Sequence, residues 1–159
     1  MKITAEPRSD QWNADDLTAG PRTFTIAGVR VGAAEQKYDV VFEGHERVWR
    51  PPLTVLRILL AAWGDDATTW EGRAVTLYRD PDIRFGRDLV GGIRVSELTD
   101  LPDDKPLTTK LQTSRGHRAD FTVQPMSRRD AYSKEWKSAD PDRKKAIEAR
   151  VAELTGGAS

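Results

Sequence analysis

At 159 residues, 31% charged and 38% apolar, the chain is long enough for one domain with a real hydrophobic core. Its 25 basic and 25 acidic side chains cancel, which excludes a whole-molecule field that gathers nucleic acid or anionic membrane; any electrostatic footprint has to be local. The absence of cysteine excludes disulfides, thiolate chemistry and cysteine zinc sites. The start MKITAEPRSD holds no apolar stretch for a signal peptide and the longest apolar run is Ile58–Trp63, so the expected compartment is the cytoplasm and no membrane partner is expected.

Residues 1–20 are polar and read as an arm with at most a short turn around Asp15–Leu17. Thr23 to Val31 is a first strand, with Phe24 and Ile26 on one face; the alternation breaks at Ala27-Gly28 and resumes at Val29, which predicts a bulge. Lys37 to Glu43 is a second strand, with Tyr38, Val40 and Phe42 on one face, and Arg47–Arg50 is a short third one. Pro51-Pro52 then opens a helix through Trp63, closed by Gly64, so both ends are marked. Only Thr54 and Arg57 are polar within it, which predicts burial on most sides. Arg73–Arg79 and Leu89–Val95 form an antiparallel hairpin, Val75 and Leu77 alternating with Thr76 and Tyr78. Beyond a linker (Thr99–Pro106), Leu107–Gln112 and Ala119–Gln124 make a second hairpin. Ser127 with Asp130 is a capping-box signal for a helix, and Asp140-Pro141 starts a last one with Ile147, Val151 and Leu154 in its stripe. That stripe is too narrow to hold alone, so it is expected to pack on the sheet or between subunits.

The order strand, strand, strand, helix, strand, strand, with a long first strand bent at a glycine, is that of the OB-fold, a five-stranded Greek-key barrel. The expected fold is therefore mainly β with appended helices. Residues 1–20 are the N-terminal arm, 21–98 the barrel with a helix between strands three and four, 99–126 the linker and second hairpin, and 127–159 a C-terminal helical segment.

Trp70-x-Gly72-Arg73-x-Val75-x-Leu77-Tyr78, then Phe85-Gly86-Arg87, then Gly92-Ile93-Arg94-Val95 resembles small OB-fold, single-stranded-DNA-binding-like proteins encoded by bacteriophages and mobile elements. Asp65-Asp66 before Trp70 and Asp16-Leu17 before the first strand fit the same pattern, which covers about residues 13–98. The resemblance implies a phage or prophage product in a bacterial cytoplasm that binds single-stranded DNA with little sequence preference. The end Thr155-Gly156-Gly157-Ala158-Ser159 lacks an acidic partner-recruiting tip, so a replication-hub role is not expected.

The residues themselves supply both parts of such a binder, basic loops and aromatic stacking surfaces. The loop between the hairpin strands holds Arg79, Arg84, Phe85 and Arg87. Lys37 and Trp49 are expected on the outward faces of strands two and three, with Arg47, Arg50 and Arg94 around them. Arg115 and Arg118 at the tip of the second hairpin are expected as a further phosphate contact, against the ordinary alternative of a solvated charged turn. Residues 47–57 and 105–118 are basic without an acid, whereas 1–46 hold five basic and eight acidic residues, a balance of −3. Against this stands the ordinary alternative: the loop arginines pair with Asp80, Asp82 and Asp88, and Trp49 and Phe85 cover an edge. Trp63 and Trp70 read as core, and Tyr132 and Trp136 as docking residues of their helix. No catalytic residue, metal site or cofactor is expected: His45 and His117 share no ligand spacing, and no phosphate-loop or nucleophile-turn motif occurs. DNA against RNA stays open. The rival function is a protein-interaction module, a phage accessory or host-factor-binding protein that docks a partner, or copies of itself, through the barrel face and C-terminal helices.

Overall fold

The computed structural model describes residues 10–32, 38–85, 88–89, 91–114 and 117–156. β1 (Arg22–Val31), β2 (Tyr38–Phe42) and the two-residue β3 (Val48–Trp49) are followed by α1 (Leu53–Trp63). Then come β4 (Ala74–Asp80), β5 (Arg84–Phe85), β6 (Asp88–Leu89) and β7 (Gly92–Leu98), the hairpin of β8 (Leu107–Ser114) and β9 (His117–Pro125), α2 (Arg128–Trp136) and α3 (Pro141–Gly156). Seven strands share one sheet in the order β3-β2-β1-β4-β7-β9-β8, and β5 and β6 form a small ladder of their own. Every neighbouring pair is antiparallel except β7 and β9, which run parallel at Glu97–Gln124 and Leu98–Pro125.

The chain is mainly β with appended helices, as expected. The expected five-stranded closure is absent: among the described residues no ladder joins β3 to β7, and the sheet is open. β3 offers only two residues, while the outer edge of β7 is taken at its C-terminal end by β9. The second hairpin thus extends the same sheet.

β1 slips register against β2 between Ile26 and Gly28, where the sequence places its bulge. Residues 22–25 of β1 pair with β4 and residues 26–31 with β2, so one bent strand serves both halves. A second slip between Thr76 and Leu77 of β4 leaves Ser96 of β7 unopposed and turns Leu98 inward together with Val95.

Inward positions of β1, β2 and β3 carry an aromatic ladder. Trp12 and Phe24 have ring centroids 4.8 Å apart, Phe24 and Phe42 stack at 4.4 Å, and Phe42 and Trp49 lie at 6.1 Å. Val55, Ile58, Leu59, Ala62 and Trp63 of α1 cover this layer, and Gly64 (φ +82°) ends the helix by donating its N–H to Leu60 O at 2.8 Å. The helix is not buried all round as its composition suggested: Leu53 is 61% and Leu60 40% exposed. Residues 10–17 of the arm are no loose tail either. Val48 donates to Asp10 O and Trp12 to Val48 O, and Trp12 and Leu17 are buried.

The C-terminal helices pack on the sheet. Outward-facing Thr23, Thr25 and Thr76 are buried beneath α2 and the segment before it, and Thr23 and Thr76 share a hydroxyl hydrogen bond of 2.7 Å. Thr25 Oγ1 donates to Glu135 Oε1 at 2.7 Å. Arg143 of α3 donates to both Glu135 oxygens (2.6 and 3.0 Å) and to Glu43 Oε2 (2.9 Å). Burial works against the Arg143 charge, but the bonds and charges of Glu135 and Glu43 prevail and raise its pKa. Ser127 Oγ caps α2 by accepting from Asp130 N, and Ile147 is buried while Leu154 stays 43% exposed. Breaking one partner of a buried ion pair leaves the other charge uncompensated. Glu135→Ala should therefore lower unfolding free energy by about 3–5 kcal/mol in urea titration; a loss below about 1 kcal/mol, typical of exposed pairs, would show that the helices are held by other contacts.

Candidate nucleic-acid interface

The β4–β7 ladder ends at Asp80–Gly92, and the connection continues as an arm. Asp80 Oδ1 accepts from Asp82 N at 2.9 Å to turn the chain at Pro81, and Gly91 N donates to Ile83 O at 3.0 Å to close the base. Beyond it Arg84 pairs with Leu89 and Phe85 with Asp88. The backbone thus places Arg84 and Phe85 on a two-stranded projection; their side chains, and Gly86 and Arg87 entirely, lie outside the described residues. Lys37 and Arg115 also lie outside them, and of Arg118 only its backbone position on β9, opposite Gln112, is described.

Trp49 is not an outward stacking platform. Its register partner is Val40, so it faces the core and is 1% exposed. Val48, on the other face of β3, is also buried, and its backbone edge is bonded by Asp10 and Trp12. Counting alternation within Val48-Trp49 could not tell which residue pointed inward.

Three arginines expected to ring the site hold carboxylates. Arg50 donates to Asp39 Oδ1 (2.8 Å), Gln11 Oε1 (2.7 Å) and Asp10 Oδ2 (3.4 Å), and its side chain is 13% exposed. The Asp39 hydrogen bond is the main reason its pKa is raised. Arg50 thus ties the end of β3 to β2 and the arm. Arg94 donates to Asp80 Oδ2 at 2.7 Å and lies over the Phe121 ring. Arg47 donates to Asp16 Oδ1 at 3.0 Å but remains 41% exposed. Asp80 is therefore engaged, as the ordinary alternative required, although by Arg94 rather than by a loop arginine. Arg79, at the foot of the arm, has no hydrogen-bond partner on its buried Nε.

Sequence reasoning passed over Tyr38. It was placed with Val40 and Phe42 on the core face, yet it is 40% exposed beside Val31, which is 82% exposed, where β1 and β2 end. Tyr38 borders a cleft of about 260 Å³ with Val29, Leu56 and Leu60. Its place as the first residue of β2, opposite the last residue of β1, makes it a rim residue.

Among the described residues, no group of three or more His, Asp and Glu side chains converges as a cation site requires. His45 packs edge-on against Trp12 and Phe24. Burial, and then the Arg22 charge, lower its pKa. Compared with protein-family models, curated proteins and solved structures, the chain matches none.

Two outcomes follow from these placements. Trp49→Ala should destabilise by about 3–5 kcal/mol, as large-to-small core changes do, read as an earlier denaturation midpoint. A folded-state imidazole pKa below its unfolded value means that the unfolded chain binds more protons in the window beneath the ordinary value of about 6.5. The His45 contribution should thus be complete above that value and lost as pH falls through the lower folded one. Melting across pH 7.5 to 5 should show this decline, and His45→Gln should flatten it.

Proposed function

We propose that this chain binds single-stranded nucleic acid with little sequence preference, on an OB-type framework whose seam is open. The order β3-β2-β1-β4-β7, with α1 between the third and fourth strands, supports that framework. In an OB-fold the loop between strands one and two and the loop between strands four and five frame the bound strand. Their counterparts in chain order are the stretch between β1 and β2, whose sequence includes Lys37, and the β5–β6 arm with Arg84 and Phe85. The observation that carries the reading is the arm: a projecting ladder that sets a basic residue beside an aromatic one, beyond the last pair of the main sheet. The resemblance of residues 13–98 to phage-encoded proteins makes a phage or prophage product the natural setting.

A second reading, protein docking through the C-terminal helices, draws on one observation. A groove of about 570 Å³ between α2 and α3 is lined by Tyr132, Trp136, Ile147 and Val151.

Fluorescence anisotropy with labelled oligo-dT tests the first reading. Binding at low salt should weaken as salt rises, with each phosphate contact contributing about 0.7 to the slope. Arg84→Ala should reduce that slope and leave melting unchanged. Phe85→Ala should cost about 1–3 kcal/mol of binding and hardly alter the slope. An oligonucleotide left free at saturating protein in low salt would retire the reading and turn attention to the α2–α3 groove.

A further inference from the structure

Of the four candidate arginines whose side chains are described, three have a carboxylate and Arg79 has none among the described residues. Its position explains why. The inward stripe of β4 runs Val75, Leu77, Arg79, and the first two are fully buried. Arg79 pairs with Ile93 of β7, itself 9% exposed, so the guanidinium leaves the core at the end of the sheet. It is also held in place. It lies against bare backbone at Gly91 (φ +75°), where an added Cβ would come within 3.2 Å of Nη2 and 3.3 Å of Cζ. The Nε–H is buried with no acceptor. That nitrogen is sealed from solvent, as are the Nε atoms of Arg22 and Arg73, so only the part of the Arg79 guanidinium that lines a cleft can meet an acceptor from outside the chain.

That cleft exists. About 370 Å³ is bounded by Leu17, Thr18, Gly20, Pro21, Tyr78, Arg79 and Pro81, and among the described residues no acidic side chain lines it. The nearby carboxylates are already engaged, Asp80 by Arg94 and Asp16 by Arg47. Burial, and then the Asp80 charge, raise the Tyr78 pKa, so its hydroxyl remains a donor. The space therefore presents a cation and the Tyr78 hydroxyl to whatever enters it, while the Thr18 hydroxyl donates to Asp15 O at 3.2 Å. A guanidinium fork matches two oxygens of a tetrahedral anion.

We infer that this cleft is a phosphate seat, with Arg79 as its anchor and Tyr78 and Thr18 on its walls. That the phosphate belongs to a nucleic-acid backbone rests on the function proposed above; the seat itself does not.

The test uses the full chain as wild type, Arg79→Ala and Arg79→Lys. Thermal melts in sodium phosphate and in sodium chloride of equal ionic strength read the seat, and anisotropy with labelled oligo-dT reads the strand. Phosphate stabilises proteins generally by exclusion from their surface, so the difference between variants is the signal. The wild type should gain several degrees more in phosphate than Arg79→Ala does, with Arg79→Lys between them. Arg79→Ala should weaken oligo-dT binding at least about fivefold and lower the salt slope by about 0.7. Equal phosphate gains in all three proteins would overturn the seat, even if oligo-dT binds and the proposed function stands. An Arg79-dependent phosphate gain in a protein that ignores oligo-dT would keep the seat, now for a free phosphate or nucleotide, and remove the proposed function. Should Arg79→Ala fail to fold, Arg79→Lys and Arg79→Gln carry the same comparison.

Discussion

The bend of β1 at Ala27-Gly28 sets what the other elements can do. Before it the strand pairs with β4, and after it with β2, so a single run of backbone joins the two halves of the sheet. Phe24 and Ile26, fully buried, sit at that junction. They bring Trp12 from the arm, Phe42 from β2 and α1 from above into one core. The opposite side of the same residues, Thr23 and Thr25, is then turned toward α2. A bulge costs one unpaired residue and returns a sharper local twist, which lets one strand curve around a core. Gly28 itself has no positive φ and leaves open space where a Cβ would be, so the bend rests on the register slip rather than on a glycine-only conformation.

What was legible in the sequence was what neighbouring residues decide. Alternation marked β1, β2 and β4, the proline and glycine flanks marked α1, and broken alternation marked the bulge. What was not legible is what covers each face. Thr23, Thr25 and Thr76 look like solvent positions on amphipathic strands, yet all three are buried: Thr25 meets Glu135 of α2, 110 residues on, and Thr76 meets Met126, 50 residues on. Glu135 and Arg143 belong to a segment that reads as polar helix, and only their pairing with each other and with Glu43 makes them interior. Trp49 failed for a related reason. Periodicity gives the parity of a strand but not its sign, and two residues flanked by turns carry too little pattern to fix it.

The candidate site divides along the same line. Arg47, Arg50 and Arg57 form a stretch without a local acid, which suggested an open basic patch. Folding brings the acids from elsewhere: Asp16 stands 31 residues before Arg47, and Asp39 11 before Arg50. Arg94 likewise finds Asp80, 14 residues back across the β4–β7 ladder. Linear charge density therefore overstated the positive surface. The expected strand Leu89–Val95 starts too early, since Leu89 belongs to the ladder of the arm and β7 runs Gly92–Leu98; two-residue strands leave no periodic trace.

These pairings rank the arginines rather than dismissing them. An exposed ion pair is worth about 0–1 kcal/mol, so exchanging its carboxylate for a phosphate costs little. Arg47–Asp16, with the arginine 41% exposed, is of that kind and can turn toward a passing strand. Arg50–Asp39 is not: both side chains are mostly out of water, Gln11 shares the guanidinium, and withdrawing it would leave Asp39 with only the exposed Arg30 at 3.6 Å. Arg94, at 18%, lies between them. Geometry adds a second filter. α2 covers β4 near Thr76, and at about 3.3 Å per residue the foot of the arm at Asp80 lies about 13 Å farther along the strand. A ligand at the arm need not displace the C-terminal helices. A strand running from the arm past Arg79 toward Arg47 would thus meet cations that are open or cheaply opened, while Arg50 and Trp49 stay behind it as the framework that holds β3 in place.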